Sequence, residues 1–312
     1  MINENSERTV ATPVIEVLNS RFSSIVPPVP VLERLCTGCR WNEGPLWIAE
    51  DHSVIWSDIL NNRIMRWSRL DGMSVWREKA EFTNGRARDI DGAVLHCSHG
   101  RRAIVRTVDG GTDDIVLEHY QEKRFNSPND IVVKSDGTWW FTDPPYGLIM
   151  PGEGYPAKQE LPGCYVFRYD PGHAELSVVT NLPRHPNGIA FSPDESTLYV
   201  ADSSGVVFPD GNRCIFAFDV QQGRKLVNGR VFTQLHAGVP DGLRVDQRGF
   251  LYVGAYDGVQ IFSDDGQLIA RIPVPEKVAN ITFGGINRDE LYICATTSLY
   301  RIKLLTRGVQ LP

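Results

Sequence analysis

The chain has 312 residues, with 32 Lys plus Arg against 38 Asp plus Glu and a formal charge of −6. That length can bury the core of one large domain. The acidic balance argues against a phosphate-coating nucleic-acid binder and against a basic membrane-surface protein. No apolar run approaches the roughly 18 residues a membrane helix needs, and the opening MINENSERTV carries no apolar leader segment, so a cytoplasmic protein is expected.

In chain order, the first expected element is a short amphipathic helix around 13–23. Val14, Leu18 and Phe22 recur every four residues, and Thr12-Pro13 suits a cap and a first helical position. It belongs to an N-terminal extension, residues 1–28, ahead of a single domain over 29–312. VPVLERLCTG (29–38) reads as a strand. It holds Cys36, which with Cys39 forms the string CTGC. No second pair or histidines at zinc spacing follow, so reduced thiols are expected rather than a metal knot.

From there the chain repeats. Six segments share one plan, beginning at WNEGPLWIAEDHSVIWSD, TNGRARDIDGAVLHCS, PNDIVVKSDGTWWFTD, PNGIAFSPDESTLYVAD, PDGLRVDQRGFLYVGA and ANITFGGINRDELYICA. Each has a short apolar strand, a turn rich in Asp, Gly, Asn or Glu, and a second β-rich strand; most show a third. One polar residue marks each start: Glu43, Asn84, Asn129, Asn187, Asp241 and Asn280, at spacings of 41, 45, 58, 54 and 39. Periods of about 40–50 residues with about four strands each predict an all-β fold, a β-propeller of six four-stranded antiparallel blades. The two long spacings hold loop insertions at 147–163 and 203–212. The last repeat runs out near Leu305 after three strands, so the N-terminal strand is predicted to close the final blade.

A propeller brings the starts of its inner strands to the central channel, so the six marker residues converge. All carry carboxylate or carboxamide oxygens, a set suited to a hard divalent cation. Asx-Gly pairs are also common turn formers, and the residues alone leave both readings open. The ends of the second strands give another ring: Asp58, Ser98, Asp143, Asp202, Ala255 and Ala295. Of these, Asp143 and Asp202 are either channel-mouth residues or strand-end turn formers. His99, in HCSH, is either a loop residue or a substrate contact. No GxSxG elbow, HExxH, phosphate loop or GxGxxG occurs, so a serine nucleophile, a zincin site and nucleotide binding are not signalled.

The strings WNEGPLW, IWSDILNNRIMRW, KRFNSPNDIVVKSDGTWWFTDPPYG, PNGIAFSPDESTLYVAD, VPDGLRVDQRGFLY and RIPVPEKVANITFGG resemble the gluconolactonase, senescence-marker-protein (regucalcin) and luciferin-regenerating-enzyme family over about residues 36–306. They are most similar to its longer bacterial members. The resemblance implies a six-bladed propeller that hydrolyses sugar lactones with one divalent cation. Ca²⁺ is the expected ion, with Zn²⁺, Mg²⁺ and Mn²⁺ as alternatives. It places the metal ligands at Glu43, Asn187 and Asp241, and a substrate or metal-water contact at Asn129. The shorter animal members have an Arg where Ser127 stands here, so Arg124 becomes the candidate for their sugar-contacting Arg. His99 and Tyr146 are further candidates for orienting substrate hydroxyls. The expected mechanism is attack of cation-activated water on the lactone carbonyl, with Asp241 either the general base or only a ligand. The 147–163 loop would cover the mouth. An arylesterase or phosphotriesterase on the same scaffold, or a non-enzymatic binding propeller, are the competing readings.

Overall fold

The computed structural model describes residues 15–108, 111–235 and 237–309. Six four-stranded antiparallel blades form a six-bladed β-propeller. The inner strands are Asn42–Ile48, Thr83–Arg88, Ile131–Val133, Pro186–Phe191, Leu243–Val245 and Val278–Gly284. In five blades the chain continues outward strand by strand. The sixth takes its outer strand from Leu32–Thr37, which pairs with Ser298–Lys303 as expected. One blade thus joins both chain ends and closes the ring. The seam between blades 6 and 1 carries a buried polar tie: Asn42 Nδ2 donates to the Ala295 carbonyl (3.0 Å), while Trp56 Nε1 donates to Asn42 Oδ1 (2.8 Å).

The core lies between blades, where β-branched and aromatic side chains from facing sheets interleave. Tyr252, Ile261, Ile281, Phe283 and Ile293 form one such layer between blades 5 and 6. Among the described residues all six cysteines are free thiols, and no helix is long and apolar enough to cross a membrane.

The N-terminal helix differs from expectation. Thr12, Pro13 and Val14 lie outside the described residues, and the helix covers only Ser20–Ser23, with Asn19 Oδ1 accepting from Arg21 N (3.0 Å). Glu16–Val17 is a strand paired with Arg271 and Ala270 on the open edge of blade 5. An exposed edge offers unpaired backbone groups, and satisfying them outweighs the helical periodicity of this short stretch. Phe22 is fully buried against Phe250 and Tyr252.

Candidate active site in the channel mouth

Four marker residues, Glu43, Asn84, Asn187 and Asn280, sit where the inner strands are irregular, while Asn129 and Asp241 lie just ahead of theirs. The ladder shifts register between Glu43 and Leu46, Thr83 and Arg86, Pro186 and Ile189, and Val278 and Asn280. A bulge re-aims side chains locally, and here such an irregularity recurs in four of the six blades. The glycines within it have a steric reason. A Cβ on Gly44, whose φ is +50°, would stand 2.2 Å from the Asn84 carbonyl oxygen, and one on Gly188 would stand 2.1 Å from that of Asp241. The Asx-Gly and Glu-Gly pairs therefore mark close approach of the next blade rather than ordinary turns. Interblade hydrogen bonds hold this approach. Gly85 N donates to the Asn129 carbonyl (2.8 Å), Ser57 Oγ to that of Asn84 (3.0 Å), and Thr142 Oγ1 to that of Asn187 (2.7 Å).

Glu43, Asn84, Asn129, Asn187 and Asn280 are buried, and Asp241 is half-buried. Asn280 Nδ2 donates to Glu43 Oε2 (3.1 Å), and Gly44 N donates to the same oxygen (3.0 Å). Burial nevertheless pushes the Glu43 carboxyl up to about 8, with the charges of Asp130 and Glu153 adding to it. Burial likewise raises Asp241 well above the usual carboxylate range. Glu43 and Glu153 push it further, against a hydrogen bond from the Asn187 side chain. Among the described residues no Lys or Arg pairs with Glu43 or Asp241; the nearby Asp130 has Arg244 at 3.6 Å. Two carboxylates from blades 1 and 5 thus face each other without a basic partner. Among the described residues Asn84 Oδ1 is a buried acceptor without a donor. Oxygen donors, uncompensated negative charge and an orphaned acceptor fit a divalent cation. The set depends on its amide, since among the described residues no group of three or more His, Cys, Asp or Glu could hold a metal.

The substrate candidates separate. Asn129 stands in the ring, its backbone N–H donating to the Thr142 carbonyl (2.9 Å). Tyr146 starts the short helix Tyr146–Ile149 and packs edge-on against His185 at 5.5 Å. Burial, then the charges of Asp241 and Asp202, raise its hydroxyl well above its ordinary range. His99 is buried and engaged at both ring nitrogens: Nδ1 donates to the Glu153 carbonyl (2.9 Å), and Nε2 accepts from Asn84 Nδ2 (3.3 Å). It holds the 147–163 loop rather than offering a free nitrogen. Arg124 is not brought to this group. Its guanidinium donates to the Arg101 carbonyl (2.6 Å) and its backbone N–H to Glu160 (3.0 Å). Asp143 and Asp202 organise strand ends, accepting from Asn126 N (2.8 Å) and from Arg184 N (2.7 Å).

One residue escaped the repeat argument. Glu153 lies in the loop insertion, half-buried, and its charge reaches both Glu43 and Asp241. Burial raises its own carboxyl to about 7. The signal was present as Gly152-Glu153-Gly154, another Glu-Gly pair, but out of phase with the six repeats.

A six-bladed propeller whose channel mouth gathers acidic and amide oxygens defines a class of small-molecule site. The match to a family model then places the chain within it: residues 41–297 match the SMP-30/Gluconolactonase/LRE-like region, and the protein belongs to this family. The gluconolactonase of Zymomonas mobilis subsp. mobilis is 31% identical, the alignment covering 94% of this chain and 87% of that one. The structure of a gluconolactonase from Xanthomonas campestris is 36% identical with a TM-score of 0.86, covering 93% of this chain and 94% of that one. A calcium-binding regucalcin from Agrobacterium tumefaciens shares the fold at 17% identity and a TM-score of 0.69, covering 92% and 95%.

Proposed function

We propose that this lactonase opens a sugar lactone by water attack, with a divalent cation held by Glu43, Asn187 and Asp241. The observation that carries the reading is the pair of carboxylates, buried Glu43 and half-buried Asp241, converging from opposite parts of the sequence with no basic counter-charge among the described residues. The gluconolactonases of Zymomonas mobilis and Xanthomonas campestris support the substrate class.

Carboxylate and amide oxygens favour Ca²⁺ over Zn²⁺, which more often takes nitrogen and sulfur. Bound there, the cation would supply Lewis acidity toward the lactone carbonyl. The protein's own groups do the rest. Asp241 takes a proton from the attacking water and returns it to the ring oxygen as the C–O bond breaks, leaving the hydroxy acid. Asn129 and Tyr146 orient hydroxyls of the sugar ring. Glu153 accepts hydrogen bonds from further hydroxyls across the mouth, which favours a polyhydroxylated lactone over an aliphatic one. The loop that carries Glu153 is fixed on His99 and restricts the entrance.

The test is a panel of sugar lactones, aliphatic lactones, aryl esters and phosphotriesters, assayed after EDTA treatment and after adding back Ca²⁺, Mg²⁺, Mn²⁺ or Zn²⁺. Hydrolysis of a sugar lactone that EDTA abolishes and one cation restores is expected. Full activity after complete metal removal, or activity confined to the esters, defeats the reading.

A further inference from the structure

The inner strands all run the same way along the channel, so their C-terminal ends gather at the mouth opposite the carboxylates. There they enclose a second cavity of about 450 Å³, lined by all six blades. That volume falls in the range of small-molecule sites. Trp47, Phe191 and Phe283 supply apolar wall, while Arg86, Arg88, Lys134, Arg244 and Arg288 bring five cations.

The two acids of the lining are already committed. Glu195 pairs with Lys134 at 3.0 Å, and Asp89 pairs with Arg106, outside the cavity, at 3.5 Å. Arg88 pairs with Glu50, yet its Nε is buried without an acceptor. Among the described residues no carboxylate lies within ion-pair distance of Arg86 or Arg288. Arg86 is 1% exposed and meets neutral acceptors, the Gly44 carbonyl and Ser57 Oγ. Arg288 donates to the Gly308 carbonyl (2.7 Å). Arg244, also 1% exposed, has Asp130 at 3.6 Å and donates to the Leu243 carbonyl (2.6 Å), and among the described residues its Nε has no acceptor. A guanidinium stays charged in a protein, and burying it without a counter-charge is unfavourable. The channel is thus polarised: one mouth suits a cation and the other suits an anion.

We propose that the basic mouth is a second ligand site, taking a small organic anion. Its carboxylate or phosphate oxygens meet Arg86 and Arg288, the guanidinium groups without a carboxylate partner, and its carbon skeleton lies against Trp47 and Phe283. This site is independent of the lactone chemistry at the other mouth.

Isothermal titration of the purified protein with benzoate and with phenyl phosphate, at fixed ionic strength in chloride, tests it. Saturable one-to-one binding of at least one probe is expected, and the probe that binds tells carboxylate from phosphate. Binding should persist in Glu43→Gln and weaken at least tenfold in Arg288→Gln. Arg88→Gln, at the rim, decides the matter if Arg288→Gln does not fold. No saturable binding of either probe overturns the proposal. So does affinity unchanged in the arginine variants, and so does binding that disappears in Glu43→Gln.

Discussion

Replacing His99 by Gln removes one titration from the folded protein. The imidazole is 1% exposed, donating from Nδ1 to the Glu153 carbonyl and accepting at Nε2 from Asn84. Burial lowers its pKa from 6.5 to about 4. A histidine lowered on folding contributes stability that is fully present above pH 6.5 and is lost as pH falls toward 4. The gap of about 2.5 pH units, at about 1.36 kcal/mol per unit, corresponds to about 3 kcal/mol. Urea unfolding at pH 7 and pH 4 of both proteins isolates this term, because the carboxylates that also titrate are common to the two. The wild-type protein should lose about 3 kcal/mol more than His99→Gln over that interval. Equal losses would show that the ring is not held neutral between Asn84 and Glu153. The same acid weakening should speed proteolytic cleavage within 147–163, since His99 fastens that loop.

Asp241→Asn should leave the fold intact and lower lactonase turnover by roughly 10²-fold or more, as expected for loss of a general base. With EDTA present, the same variant should melt higher than wild type at pH 8, because it removes a carboxyl whose ionisation burial and Glu43 oppose; a lower melting temperature contradicts that opposition. Glu153→Gln should cut kcat/KM for a polyhydroxylated lactone about tenfold, the worth of a charge-assisted hydrogen bond, and leave an unsubstituted lactone of the same ring size unchanged. Equal effects on both substrates would remove Glu153 from hydroxyl recognition. Phe22→Ala should cost about 3–5 kcal/mol in urea unfolding, because the ring is fully buried on blade 5. A loss below about 1 kcal/mol would separate residues 15–28 from the cooperative unit.

The repeat made the architecture legible. The strand pattern recurs in all six segments and the last segment is one strand short, so the blades and their closing strand could be read without a structure. The six marker residues were legible as a group for the same reason, since a phase shared by six segments becomes a shared radius around an axis; choosing Glu43, Asn187 and Asp241 among them rested on the family resemblance. Elements outside the repeat had no such check. The periodicity at Val14, Leu18 and Phe22 suggested a helix, but the open edge of blade 5 drew Glu16–Val17 into a strand. Glu153 had no phase partner, and only the fold of the 147–163 loop over the channel brings it to Asp241. His99 and Arg124 were named by type, yet their partners, Asn84 with the Glu153 carbonyl and the Arg101 carbonyl, are set by packing. Periodic sequence determines what sits at equivalent places in the blades. Loop closure and burial decide which lone side chains reach the site, because those contacts depend on distances through space that no spacing along the chain encodes.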